Sequence, residues 1–446
     1  MKTRYIFFVM ILAMLAACKP AIDEFAPSKG DADFSRYIAV GDFWTAGFAD
    51  GSLYKSGQEN SFPSILGRQF TYVQGGEFKQ PLMVDDYGVG LSTGIPMPKL
   101  VLDFRPDCKG VVGLMPGFAN VAVDPANFAS VAAGGPYNNI GMPGLKSIYM
   151  GVPGFAAVNP YYARFTSAPL NKVVDEIPPV NATFFTLWLG MFDVLYYAMQ
   201  GGTGDVITPV AQFTGAMTAV LDVLTASGAK GAIANIPDVT DAAYFRTIPY
   251  NALALPDQAT ADMLNYAYTP LNQIIKGAGS TDTLSFQPGP NPLVIIDEDL
   301  PWGIRQIKSD ELVLLSLPQD SLKCAGWGSQ KPIASVYILK RSEIDAIREA
   351  IDGYNSALAQ MVENKDIALV DMYSVMKTMS VDGLAFEGVK IDPRFVQGNF
   401  YSLDGLNPTP RGSAVVAYYF IDAINRKFNA NIPQVTVSDF PGVMLP

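Results

Sequence analysis

Apolar positions along this 446-residue chain follow two different periods, and their alternation predicts an α/β architecture. Runs that are apolar at nearly every position occur at residues 36–40, 184–189, 231–236 and 367–370. Such runs are typical of strands that are buried on both faces, as in a parallel sheet. We therefore expect these four segments to be strands of the core.

Three segments instead have the period of a helix. Pro209 suits a first helical turn, so one helix is predicted from residue 208 to about 226. A second is predicted at 342–364 and a third from 412 to about 428. In the second, apolar residues recur at three- and four-residue spacing: Ile344, Ile347, Ile351, Tyr354, Leu358 and Met361. Such a stripe faces either a core or a partner helix, and we favour the core.

The remaining sequence contains two long segments, at 71–135 and about 239–340, that are rich in Gly, Pro, Asn and aromatic residues. No linker divides the chain, so residues 35–446 are predicted to form one domain with two irregular insertions. Loops of this length usually carry function or an interaction surface.

The N-terminus has the pattern of a secretory signal peptide. Lys2 and Arg4 precede an apolar stretch at residues 5–15, which is too short to span a membrane comfortably. The sequence Leu15-Ala16-Ala17-Cys18 resembles the lipobox of bacterial lipoproteins, which implies cleavage after residue 17 and lipidation of the Cys18 thiol. Residues 18–34 are then a flexible tether. An ordinary signal peptide or a membrane-spanning helix is the alternative.

Charge limits the partners of the exported chain. Loss of Lys2 and Arg4 with the signal peptide changes the formal charge from −11 to −13, which disfavours nucleic acid as a partner. Position 19 is Lys rather than the Asp that retains lipoproteins at the inner membrane, and Asp23-Glu24 resembles a surface-export signal. We expect a lipid-anchored protein of the outer membrane, exposed at the cell surface or, alternatively, on the periplasmic face.

Three cysteines and no histidine limit the metal chemistry. An oxidising location permits a disulfide between Cys108 and Cys324, although either could be a small buried apolar residue. Two thiols without histidine disfavour zinc, and no metal or cofactor is predicted. The acidic segments 85–86 and 297–299 have no recognised calcium-binding spacing, so we expect solvated turns.

Four separated segments, at 41–47, 138–144, 188–193 and 402–412, resemble in order and spacing the SGNH/GDSL hydrolase family, and in particular its large Bacteroidota lipoproteins. The resemblance covers residues 35–430. It implies a flavodoxin-like sandwich, which is a parallel sheet with helices on both faces and a site above the carboxyl ends of the strands.

The resemblance also implies which residues occupy the catalytic positions. Phe43 stands where active members have the nucleophilic Ser, and Phe192 where an Asn donates to the oxyanion. Gly144 and Asp404 keep the family's residues, but Asn407 replaces the His that acts as base. An amide cannot abstract a proton near neutral pH, so the resemblance implies a pseudoenzyme.

These replacements change the predicted cleft. The two phenylalanines would fill it as a core plug, which we favour, or form an apolar floor for a ligand. Asp404, without its His, would cap a helix or turn near Pro408.

The favoured function is a non-catalytic binding or scaffolding subunit of an outer-membrane complex. Because members of the family often accompany outer-membrane β-barrels, the resemblance implies a β-barrel or a neighbouring surface lipoprotein as the partner. Barrel assembly and uptake are the two roles that this analogy leaves open. One alternative is an esterase or lipase with displaced residues, such as Ser52 with Lys55 or Lys146, although solvated lysines are expected. The other is a lipid- or glycan-binding protein without chemistry.

The missing nucleophile and base can be tested directly. We expect no covalent adduct when the purified wild-type protein is incubated with a fluorophosphonate, because that reagent requires an activated hydroxyl. Intact-mass spectrometry measures the result. A stoichiometric mass increase would show that a displaced serine is activated.

Overall fold

The computed structural model describes residues 26–92, 94–363 and 365–446. The predicted signal peptide, Cys18 and the acidic pair at 23–24 lie outside these ranges. Among the described residues, no helix is both long and apolar enough to cross a bilayer.

A five-stranded parallel sheet forms the centre of the fold. Its strands are β1 (Tyr37–Gly41), β2 (Asn139–Gly141), β3 (Phe184–Trp188), β4 (Lys230–Ala234) and β5 (Ile367–Val370). Their order across the sheet is β2-β1-β3-β4-β5, and every neighbouring pair is parallel. This is the strand order of flavodoxin-like doubly wound folds, so the predicted fold class is confirmed.

Within the described ranges, twelve α-helices accompany the sheet. In chain order, α1 to α12 are Phe43–Ala46, Lys55–Glu59, Phe62–Phe70, Pro160–Ala163, Phe192–Met199, Val210–Thr225, Ala243–Arg246, Gln258–Gly277, Gln319–Cys324, Arg341–Val362, Met372–Val381 and Pro410–Phe428. The three predicted helices correspond to α6, α10 and α12. Pro209 precedes α6 as its N-cap residue rather than lying in its first turn.

Two layers of helices cover the sheet. On one face, Phe62 of α3 and Phe420 of α12 stack with their ring centroids 4.9 Å apart, next to Trp188 of β3. In the other layer, Phe213 of α6 and Tyr354 of α10 stack at 4.2 Å. Every residue of β1 and β3 is buried, because helices cover both faces of these strands. The apolar stripe of α10 therefore faces the core, as predicted.

The two insertions are more regular than expected. Segment 71–135 contains the hairpins Gly90–Ser92/Ile95–Met97 and Leu100–Pro106/Val112–Phe118. Segment 239–340 contains α8 and three short pairs, Leu253–Leu255/Gly289–Asn291, Val294–Ile296/Ile304–Gln306 and Leu312–Val313/Ile338–Leu339. A last hairpin, Leu384–Phe386/Val389–Ile391, lies beyond them. The sequence analysis missed α8, which contains Pro270, because proline disfavours a helix interior.

Covalent and ionic contacts join the insertions. Cys108 and Cys324 form a disulfide, and Lys323 pairs with Asp107 beside it. The disulfide joins the turn of the 100–118 hairpin to α9, so it connects the first insertion to the second.

Apart from the buried Asp297 and the half-buried Asp85, the acidic residues of segments 85–86 and 297–299 are exposed, as expected. Asp297 is buried and pairs with Arg305 at 2.6 Å and with Lys340 at 2.7 Å. Asp85 accepts hydrogen bonds from the backbone N–H groups of Tyr87 and Gly88. Each carboxylate thus has protein donors, and the described residues include no group of three acidic or thiol side chains placed to hold a metal.

Part of the predicted tether also packs on the body. Ser28 pairs with Asn431, and Phe34 is almost completely buried against Phe70 and Phe184. Residues 28–34 of the predicted tether thus contact the folded body, and Ala32 and Phe34 lie in its core.

Gly41 ends β1 where the backbone has no space for a side chain. A Cβ atom there would lie 2.6 Å from the carbonyl oxygen of Trp188 and nearer still to the Thr45 hydroxyl. We expect Gly41→Ala to lower the free energy of unfolding by about 1–3 kcal/mol, because overpacking displaces buried neighbours. Urea unfolding measures the change.

The matched control is Gly113→Ala in the 100–118 hairpin, where a new Cβ meets no atom within 4 Å. Its free energy of unfolding should stay within about 0.5 kcal/mol of wild type. Equal effects of the two substitutions would contradict a specific steric role for Gly41.

Candidate functional site

The four segments that resemble the hydrolase family converge at the carboxyl edge of the sheet. Residues 42–47 follow β1, 142–144 follow β2 and 189–193 follow β3, while the 402–407 loop joins them through hydrogen bonds. The strand order reverses between β1 and β3, and ligands of doubly wound folds bind at this switch point.

Phe43 and Phe192 lie side by side at the switch point. Phe43 opens α1 and Phe192 opens α5, which places their ring centroids 4.9 Å apart at an angle of 62°. The Phe48 ring also packs edge to face on Phe43, with the two ring centroids 5.2 Å apart. Phe43 and Phe192 are each only partly buried, and both line a pocket.

This pocket has a volume of about 900 Å³ and mainly apolar walls. Leu195, Tyr196 and Met199 of α5 form one wall, and Leu100 and Phe118 of the 100–118 hairpin form another. The favoured prediction of a core plug is therefore wrong, and the alternative of an apolar floor describes the structure. The two phenylalanine rings pack edge to face on each other and form part of the lining of the open cleft.

The Asp404 carboxylate accepts four hydrogen bonds from neighbouring N–H groups. One carboxylate oxygen accepts from the backbone N–H groups of Leu406 and Asn407, both at 2.8 Å. The other accepts from the Gly51 N–H and from the Asn407 side-chain amide, both at 3.0 Å. The carboxylate thus holds the 404–407 turn and ties it to residue 51, as expected for a cap.

Gly144 lines the pocket in a left-handed conformation, with φ at +81°. A Cβ atom at this position would meet the Asn159 amide nitrogen at 3.6 Å and the Phe192 ring at 4.0 Å. These are ordinary contact distances, so the left-handed backbone, and not a lack of space, favours glycine at this position.

Lys146 is buried, which corrects the expectation of a solvated lysine. Its ammonium lies 2.6 Å from the Asp205 carboxylate and donates to the Val206 carbonyl at 3.0 Å. Lys146 and Asp205 both line the pocket. The sequence analysis missed Asp205, since nothing along the chain signals this pairing.

The proposed Ser–Lys dyad is not present among the described contacts. Ser52 is buried, donates to the Tyr87 carbonyl and does not line the pocket, and Lys55 is exposed. The described residues that line the pocket include no serine, threonine or cysteine, and the chain has no histidine. Its chemistry is that of an apolar cavity with a few polar atoms.

Two carboxyl groups lie beneath the floor, and the sequence analysis did not identify either. Asp42 is fully buried, and neither of its carboxyl oxygens has a hydrogen-bond partner in good geometry. Asp193 is also buried and accepts from the Ser147 N–H at 2.8 Å and from its hydroxyl at 2.7 Å. Burial raises the pKa of Asp42 to about 7, and the Asp193 carboxyl adds to this shift. The nearby amides of Trp44 and Phe192 offset it only in part.

No protein-family model matches this sequence, and no curated protein does. Among solved structures, the chain is similar to a lipolytic protein of the G-D-S-L family from Desulfitobacterium hafniense DCB-2. The identity is 10%, the TM-score is 0.20, and the match covers 58% of this chain and 90% of the other. The fold assignment therefore depends on the strand order of the sheet.

The raised pKa of Asp42 predicts a pH-dependent stability. The folded state holds the Asp42 proton more tightly than the unfolded state, so protonation of Asp42 adds to the free energy of unfolding. This stabilisation is complete below pH 3.8 and is lost as the pH rises to about 7. Asp42→Asn has no such proton to lose. The free energy of unfolding of the variant minus that of wild type should therefore rise by on the order of 2–4 kcal/mol from pH 4 to pH 8.

Urea unfolding at several pH values measures this gain. Asp282→Asn removes an exposed carboxylate and serves as the control, with no expected pH-dependent difference from wild type. Parallel stability curves for wild type and Asp42→Asn would show that Asp42 ionises normally.

Proposed function

We propose that this protein is a non-catalytic, exported lipoprotein of SGNH type whose cleft binds an apolar or amphiphilic ligand. The observation that carries the proposal is the pocket of about 900 Å³ with Phe43 and Phe192 as its floor. Well-formed apolar cavities of this size are the usual form of small-molecule sites.

The side chains around the pocket support binding without acyl transfer. A hydroxyl nucleophile needs a neighbouring base, and loss of either costs about 10⁶ in turnover of a serine hydrolase. Asn407 stands at the position of the base, and its amide donates to Asp404. Since four N–H groups already occupy the Asp404 oxygens, this carboxylate has a structural role.

The lining also indicates the class of ligand. Phenylalanine, leucine, methionine and tyrosine side chains dominate the walls, so binding would be driven by burial of apolar surface, at about 25 cal/mol per Å². Lys146, Asp205 and Asn407 supply polar atoms at a few points. Because Lys146 and Asp205 neutralise each other, a ligand with a small polar group and a large apolar part suits this lining.

Lipidation of Cys18 and location at the outer membrane belong to the same proposal, supported by the Leu-Ala-Ala-Cys sequence. A role as a subunit beside a β-barrel or another surface lipoprotein stays a prediction from the family resemblance. Recovery of the protein without companions from gently solubilised membranes would count against that role.

The proposed binding can be tested with anilinonaphthalene sulfonate, whose fluorescence rises in apolar sites. We expect the folded protein to bind this probe and Tyr196→Asp to bind it at least about tenfold more weakly, because a charge would be desolvated in the apolar wall. Tyr196 lines the pocket and is 39% exposed.

Tyr266→Asp is the matched control, because Tyr266 is also on a helix but is 83% exposed and outside the pocket. Its affinity for the probe should equal that of wild type. Equal weakening by both substitutions, or no binding by wild type, would reject the pocket as the binding site.

A further inference from the structure

The 100–118 hairpin has one face that consists only of apolar residues. Side chains of directly paired residues lie on the same face of an antiparallel pair, and alternate residues along each strand share that face. The pairs on this face are Leu100 with Phe118, Leu102 with Pro116, Phe104 with Leu114, and Pro106 with Val112. Asp103 and Arg105 belong to the opposite face.

This apolar face begins inside the pocket and continues into solvent. Leu100 and Phe118 line the pocket at the base of the hairpin. Leu102 is buried, so the exposed part runs mainly along the second strand. Exposure then rises away from the pocket, from 37% at Phe118 and 39% at Leu114 to 62% at Val112, with Phe104 at 65% beside Leu114. We call Phe104, Val112, Leu114 and Phe118 the hairpin stripe.

The hairpin stripe has a fixed position relative to the pocket. An isolated two-stranded hairpin is marginally stable in water, but the disulfide from Cys108 to Cys324 and the ion pair of Asp107 with Lys323 hold the far end of this one. The hairpin is therefore anchored at its base by the pocket wall and at its turn by α9. An apolar surface maintained in this way is a candidate binding surface.

We propose that the ligand is an elongated amphiphile whose chain lies on the pocket floor and continues along the hairpin stripe. This inference rests on the proposed function and specifies its ligand class. From the Leu100–Phe118 pair to the Pro106–Val112 pair the hairpin extends six residues, which corresponds to about 20 Å. A long-chain lipid or fatty acid therefore gains contacts that a short-chain analogue cannot reach.

The continuity of the stripe with the pocket favours a chain-like ligand over a protein partner. A second copy of this chain, or another protein, could cover Phe104 and Val112 but could not follow the surface past Phe118 to Phe43 and Phe192. A slender alkyl chain can contact both regions at once. The occupant is therefore the same molecule that fills the pocket.

The test is isothermal titration calorimetry with octanoate, laurate and oleate below their micelle concentrations. For wild type we expect the affinity to rise with chain length. Phe104→Ser and Val112→Ser should each weaken oleate binding about tenfold and leave octanoate binding unchanged, since only the longer chain reaches these residues.

Val111→Ser is the matched control. Val111 and Val112 are adjacent and almost equally exposed, at 61% and 62%, but Val111 lies in the turn and not on the apolar face. Its substitution should change the affinity for none of the three ligands. An effect on oleate equal to that of Val112→Ser would overturn the proposal.

Other results separate this inference from the proposed function. Binding that does not depend on chain length, with wild-type affinity in Phe104→Ser, overturns the hairpin stripe and leaves the pocket intact. No binding of any of the three ligands overturns both. A ligand-free dimer that dissociates on Val112→Ser, measured by sedimentation velocity, shows that a second copy covers the stripe and also overturns the proposal.

Discussion

The close approach of β1 and β3 at the carboxyl edge is the constraint on which the site depends. Gly41 lies so near the Trp188 carbonyl and Thr45 that the chain can leave β1 only through a residue without a side chain. The following turn places Asp42 beneath the floor and Phe43 in it, beside Phe192 from the end of β3. Phe43 thereby becomes part of the apolar lining of the pocket.

The sequence predicted those parts of the fold that have strong periodicity. The strand at Ile367–Val370 and the core-facing stripe of α10 followed directly from the spacing of apolar residues. The three-residue β2 was too short to show a period, and α8 was hidden by Pro270. The segments that resemble the hydrolase family indicated where the candidate site lies but not that its cleft is open. The walls of the cleft come from α5 and the 100–118 hairpin, which are far apart in sequence, and no local pattern encodes their packing.

Charged side chains were the least predictable part of the molecule. Asp297 and Lys146 were expected in solvent, yet each is buried with a partner of opposite charge. The partner of a buried charge is set by the fold, as Asp205 is for Lys146, 59 positions away along the chain, so the local sequence gives no signal of the pair. Asp42 is the opposite case, because it is buried without a cation and keeps a proton near neutral pH. Its carboxyl directly precedes Phe43, one of the two rings that line the pocket.

The docking of Ser28 on Asn431 fixes where the chain enters the folded body, next to the amino edge of the sheet. If Cys18 carries a lipid, the eight Cα–Cα steps from Cys18 to Ala26 can span at most about 30 Å. The amino edge would then stay near the anchoring bilayer, while the cavity opens at the opposite edge. An anchored molecule would thus present its opening to the surrounding medium rather than to its own membrane. A ligand of the kind proposed above would then enter the cavity from the side that faces away from the anchor.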